Sequence, residues 1–246
     1  MSDSAPPGNA VANVAPTARS VDAGRSVEWF KAGWNLFLKN PGVWIAISVI
    51  MLVVVFVLSM IPVIGQIAVL VTLPIAGGGL VLGCQSLSEG GELRVEHLFE
   101  GFQRQGASLA IVGALYAVGG LLAVGLAFLI GSGGAIGGAI THGWSGAGLA
   151  AGSLALGLLV WLILSVLLGM AFWFAPALVV LRGLAPIDAM KTSLGACLQN
   201  FVAFLVFGIL SAVAGFVAML PMGLGMIVLV PVMIGAAYAS YLDVFG

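Results

Sequence analysis

Residues 42–60 read GVWIAISVIMLVVVFVLSM, a stretch with no charged side chain and with Ser48 and Ser59 as its only hydroxyls. About 20 helical residues cross a hydrocarbon core of roughly 30 Å, so a run of this length and polarity is a membrane span. Five more follow, at 63–82, 107–130, 152–180, 201–220 and 222–241. None shows the alternation, over about 10 residues, that marks a transmembrane β-strand. Helices then satisfy the backbone in lipid. The expected fold is all-α, a polytopic bundle of six transmembrane helices.

The charged residues agree. They make up 7% of the chain, against about 25% in a soluble domain, and mean hydropathy is +1.21. Arg19, Arg25, Lys31 and Lys39 precede the first span; Arg94 and Arg104 lie between the second and third, Arg182 and Lys191 between the fourth and fifth. The alternate connections at 61–62, 131–151 and Pro221 carry no basic residue. Under the positive-inside rule both termini belong in the cytoplasm. The carboxylates share that side, and a net charge of −1 offers nothing to a nucleic acid. Residues 1–25 contain no apolar run that could act as a signal peptide or repay ordering, and they read as a disordered cytoplasmic tail.

Short amphipathic segments precede spans one, three and five. In 26–40, Val27, Phe30, Trp34, Phe37 and Leu38 fall on one side at helical spacing, with Glu28, Lys31, Asn35 and Lys39 opposite. A shift of 160 residues carries Val27 to Ile187, Glu28 to Asp188, Lys31 to Lys191, Leu38 to Leu198 and Asn40 to Asn200. The acid and base three apart are expected to pair in both segments. Residues 92–105 form a looser third copy. Met60-Ile61-Pro62 and Met219-Leu220-Pro221 are matching turns, and Pro74, Pro176 and Pro231 recur in the even-numbered spans. These matches divide the chain into three hairpin units, 26–90, 91–183 and 184–246, each an interfacial helix, a span, a turn and a proline-bent span. The middle unit differs most, because its outer connection is the glycine-rich run 131–148, which the sequence allows as an outer loop or as a partly helical segment.

Reactive chemistry is missing. No span holds an acid, a base or a histidine, which membrane enzymes and ion-coupled pumps require at depth. Cys84 and Cys197 read as small apolar residues, and His97 and His142 as solvated imidazoles on opposite sides. Trp29, Trp34, Trp44 and Trp144 fall at expected interfaces, where an amphipathic ring is best accommodated. Gly79 and Gly83 have the spacing that brings helix backbones together, read here as internal packing. Trp161, Trp173 and Pro176 give span four bulk and a bend, and are the candidates for contact with a lipid or solute. Trp29, Lys31, Trp34, Lys39 and Lys191 are the candidate interfacial set.

At Gly33–Trp44 (GWNLFLKNPGVW), 174–200 (FAPALVVLRGLAPIDAMKTSLGACLQN) and 238–246 (YASYLDVFG), the chain resembles a family of proteobacterial inner-membrane proteins of the BPSS type. More faintly, it is similar to the membrane domain attached to some glycerophosphodiester phosphodiesterases. The resemblance implies an inner-membrane location and offers no catalytic residues to carry over; the residues themselves lead us to expect no cofactor and no metal. The expected role is a non-enzymatic partner, organiser or lipid-contacting component, with membrane lipids and another membrane protein as candidate partners. A channel or carrier for neutral or lipid-like solutes, using Ser48, Thr72, Tyr116, Ser165 and Ser211, is the alternative. A continuous polar cavity would favour the alternative, and a dry core the first reading.

Overall fold

The computed structural model of this chain describes residues 16–141 and 143–246. Among them are nine helices: α1 (Arg25–Lys39), α2 (Pro41–Ser59), α3 (Ile64–Ser88), α4 (His97–Thr141), α5 (Gly143–Trp173), α6 (Ala175–Arg182), α7 (Pro186–Gln199), α8 (Phe201–Met219) and α9 (Met226–Phe245). The chain is an all-α bundle with six helical stretches long and apolar enough to span a membrane: α2, α3, α4, the α5–α6 pair, α8 and α9.

The short helices α1 and α7, and residues 97–104 at the start of α4, each rest on a proline-bearing span from a neighbouring hairpin. α1 lies on α9 at Gly33, where an added Cβ would overlap the Val232 carbonyl oxygen and come within 2.8 Å of the Ala236 nitrogen. Residues 97–104 lie on α3 at Gly101, where a Cβ would overlap the Ile75 carbonyl and approach the Gly79 nitrogen to 3.1 Å. Each glycine therefore faces the carbonyl of residue i and the amide of residue i+4 on its partner. The third crossing uses a serine. Ser193 of α7 donates from Oγ to the Met170 carbonyl (2.6 Å) and accepts the Phe174 amide (2.9 Å), again residues i and i+4.

That serine explains the break between α5 and α6. A hydroxyl inserted between a carbonyl and the amide four residues on replaces one rung of the helix ladder, a recognised cause of kinks. Pro176, in the first turn of α6, sits where its missing N–H costs nothing. Relative to the crossings, Ile75 and Gly79 follow Pro74 by one and five residues, as Val232 and Ala236 follow Pro231. Met170 and Phe174 instead precede Pro176. Pro176 is therefore not the counterpart of the other two prolines, which corrects the simple recurrence read from sequence.

Burial follows the same register. The buried positions of α7 are Ala189, Ser193, Ala196 and Cys197, and those of α1 include Trp29, Gly33, Leu36 and Phe37, all related by 160 residues. The turns also match. Val63, after Pro62, has φ 64° and ψ −61°, and the Ile64 amide donates to the Pro62 carbonyl (2.7 Å), which makes a γ-turn. Met222, after Pro221, likewise has a positive φ of 55°. Two positive-φ residues, Met222 and Gly223, delay the last helix to Met226 rather than the expected 222.

One open alternative is decided and two expectations need correction. The run 131–148 is helical on both sides of His142, which itself lies outside the described residues. Its glycines form the α4–α5 seam: a Cβ on Gly138 would overlap the Gly146 carbonyl, and the reverse holds. Ser153 Oγ donates across that seam to the Gly131 carbonyl (3.2 Å). Residues 16–24, assigned to a disordered tail, are tied down. The Arg19 amide donates to the Val244 carbonyl (2.9 Å); Asn200 accepts from the Val21 amide (2.7 Å) and donates to the Arg19 carbonyl (2.9 Å). Residues 1–15 of that tail lie outside the described residues. Finally, the interfacial helix expected at 92–105 begins only at His97, and Gln105 (φ −143°) separates it from the span.

Candidate functional site

The even-numbered spans and α8 line a half-open cavity of about 490 Å³, walled by Gly77 of α3, Trp173 and Pro176 at the α5–α6 break, Ser211 of α8, and Val230 and Met233 of α9. The break exists because Ser193 replaces one rung of the helix ladder, and Trp173 is the last residue before it. Trp173 Nε1 donates to Ser240 Oγ (3.2 Å), and Ser240 Oγ donates in turn to the Ala237 carbonyl (2.8 Å). The ring packs edge-on against Phe207 at 5.3 Å between centroids. Ser211 Oγ donates to the Phe207 carbonyl (2.7 Å). The side-chain polar groups nearest the cavity, on Trp173 and Ser211, thus have partners. A space lined this way offers a water molecule few hydrogen-bond partners. Its size falls within the roughly 300–1,000 Å³ of small-molecule pockets.

Of the three candidates read from sequence, Trp173 and Pro176 come together here. Trp161 is 40% exposed on α5 and does not line the cavity. Gly77, Met233 and the other α9 residues were missed. Gly77 stands in a run of three glycines, but nothing in the run distinguishes Gly77, which faces the cavity, from Gly78, which packs against Leu109 and Val180.

The interfacial set divides. Trp29 is 1% exposed and its Nε1 donates to Asp243 Oδ2 (2.7 Å); it is a core residue rather than an anchor. Asp243 also receives Arg25 as a fork, Nε to Oδ2 at 2.8 Å and a second nitrogen to Oδ1 at 2.5 Å. This hydrogen bond, with the carboxylate charge, holds the Arg25 guanidinium above its ordinary range. Trp44 is also buried, and its Nε1 donates to the Leu36 carbonyl (3.1 Å). Trp34 is 46% exposed. Lys31 pairs with Glu28 (2.8 Å), as expected for residues three apart, whereas Asp188 and Lys191 form no such pair among the described residues. Lys39 donates to the Leu87 carbonyl at the end of α3 (2.7 Å).

His97 is buried rather than solvated, with Nδ1 2.9 Å from the Arg94 amide. It lies against Gly79 and Gly83, so that glycine pair serves internal packing. Burial pushes the Cys197 thiol up to about 12. Among the described residues, no three His, Cys, Asp or Glu side chains gather where they could hold a metal. The hydroxyls considered for a solute path do not converge. Ser211 lines the central cavity, Ser48 a groove between α2 and α9, and Thr72 a groove between α2 and α3.

Fold and site together define a polytopic helical membrane protein with a half-open apolar cavity between its spans. Over 228 residues the chain is 28% identical to a probable inner membrane protein of Burkholderia thailandensis, a match covering 89% of this chain and 82% of that protein. No family model matches, and no solved structure does. The similarity agrees with the proteobacterial inner-membrane resemblance; the likeness to phosphodiesterase membrane domains finds no support.

Proposed function

We propose that this protein is a non-enzymatic, lipid-contacting component of the inner membrane, and that its central cavity holds a hydrocarbon chain. The observation that carries this reading is an apolar space of about 490 Å³ whose neighbouring polar groups already have partners. Transport of a polar solute would call for unpaired donors and acceptors along a path, and the hydroxyls are instead dispersed. An acyl chain needs only volume and apolar walls, which Trp173, Pro176, Val230 and Met233 supply.

Two cavity-lining positions allow a clean test. A Cβ on Gly77 or Gly215 meets nothing within 4 Å, so leucine there grows into the cavity rather than into a neighbour. Each change also gains helix propensity over glycine, somewhat less than the roughly 0.8–1 kcal/mol that alanine would bring. Gly77→Leu combined with Gly215→Leu is expected to purify as a folded protein of equal or higher thermal stability. Native mass spectrometry should show the wild type carrying a lipid that the double variant has lost. Equal lipid content in the two proteins would remove the cavity from the account.

The chain is further proposed to have both termini in the cytoplasm and to consist of three related hairpin units. The basic residues at one end support the orientation, and the three crossings at Gly33, Gly101 and Ser193 support the units. Reporter fusions at Gly65, Gly138 and Gly223 should read periplasmic, and fusions at Gly90, Gly183 and Gly246 cytoplasmic. Inverted readings at two or more sites would overturn the orientation.

A further inference from the structure

A second groove, of about 830 Å³, lies beneath α1, on the other side of Leu229 from the central cavity. We propose that it binds an anionic phospholipid, with an acyl chain between α8 and α9 and the phosphate at Lys31 and Asn35. The floor is apolar, formed by Val217 and Ala218 of α8 and by Val228 and Leu229 of α9. The polar groups that line it come from α1: Lys31 and Asn35 stand four residues apart on one helix face, beside the half-exposed Trp34. An ammonium and an amide at the rim, over hydrocarbon walls, match a phosphate joined to an acyl chain. A zwitterionic headgroup would bring its own cation against the same ammonium.

A related groove shows what is particular to this one. Residues 97–104 cover a groove of about 190 Å³ over α2 and α3, lined by Leu98, Phe99 and Phe102 with no polar surface. A shift of 68 residues carries Phe30 to Leu98, Lys31 to Phe99 and Trp34 to Phe102, the same shift that carries Gly33 to Gly101. The two hairpins thus build the same kind of groove, and only the one under α1 has a cation at its rim. The resident competitor for that cation is Glu28, 2.8 Å from Lys31 and exposed. Arg25 is taken by Asp243, and Lys39 is held by a backbone carbonyl rather than a carboxylate, so the α1 surface keeps positive charge.

The proposal takes its ligand class from the reading of this chain as a lipid-contacting protein, but its polar residues, Lys31 and Asn35, are not those of the cavity, with which the groove shares only Leu229. The full chain, purified in mild detergent and mixed with equimolar phosphatidylglycerol and phosphatidylcholine, is examined by native mass spectrometry. The wild type should retain phosphatidylglycerol in preference. One lysine near an anionic headgroup is worth about 1 kcal/mol, so Lys31→Gln should cut that preference about fivefold. Glu28→Gln, which frees Lys31, should raise it, and Lys191→Gln on α7 should leave it unchanged. Val217→Trp fills the groove and should reduce retention of both lipids. Opposite signs at positions 28 and 31 separate an electrostatic role from a loss of folding. Equal retention of the two lipids by the wild type, or an unchanged preference in Lys31→Gln, overturns the proposal. So does loss of the preference in Gly77→Leu alone, which would place the anionic lipid in the cavity. Loss of lipid from Gly77→Leu with the preference intact leaves both sites standing. Failure of Gly77→Leu to release any lipid, with Lys31→Gln active, counts against the cavity alone.

Discussion

Gly33→Ala and Gly101→Ala should each destabilise the bundle by about 2 kcal/mol net. Overpacking a close contact costs about 1–3 kcal/mol, and the upper end applies because the atoms met are backbone rather than a movable side-chain tip. The gain of about 0.8–1 kcal/mol from placing alanine in a helix offsets only part of this. Gly195→Ala is the control, since a Cβ there meets nothing within 4 Å and the propensity gain should stand alone. Unfolding in graded sodium dodecyl sulfate, followed by circular dichroism, reads all three. If Gly33→Ala tracks Gly195→Ala, α1 does not rest on α9 through its backbone.

Asp243→Ala should cost about 3 kcal/mol and release α1 at its N-terminal end. The carboxylate accepts three hydrogen bonds, two from Arg25 and one from Trp29. A hydrogen bond to a charged group contributes about 1.5–3 kcal/mol when shielded. Arg25 is 48% exposed in its side chain, so its two bonds are discounted for solvent. The Trp29 N–H is deeply buried and loses its partner outright. Because Arg25 is held above its already alkaline ordinary range, its charge is constant through neutral pH and this contribution should not titrate there from the arginine side. Asp243→Asn keeps an acceptor for Trp29 and should lose roughly half as much. Faster proteolysis after Arg19 or Arg25, together with the stability loss, would identify α1 as the part released. Unchanged stability would mean that the N- and C-terminal helices are held by apolar packing alone.

The spans, the two proline turns and the short helices α1 and α7 were legible in the sequence because hydropathy, proline and helical spacing act locally. What escaped depends on the identity of the neighbour. A hydropathy pattern separates water from non-water, but a lipid tail is as apolar as a leucine, so it cannot tell lipid from protein. Trp29 and Trp44 therefore looked like Trp34, although the first two turn inward onto Asp243 and the Leu36 carbonyl. The glycines of 131–148 left loop and helix both open, because glycine weakens a helix in water. Between two membrane helices the same glycines admit a backbone seam, as at Gly138 and Gly146. Residues 16–24 lack any local reason to order, and their partners, Asn200 and Val244, lie far along the chain. The candidate site was half visible. Bulk and bend pointed to Trp173 and Pro176, while Gly77 and Met233 become wall residues only once α3 and α9 are set beside them.

Occupancy of the central cavity is the most direct measurement, made as an experimental density map of the full chain extracted in mild detergent, at a resolution that shows ordered water. The account predicts a continuous tubular density between Trp173 and Met233, contacting Pro176 and Val230 and absent from the Gly77→Leu, Gly215→Leu double variant. Discrete waters hydrogen-bonded along the same space, or side chains closing it in the wild type, would contradict it.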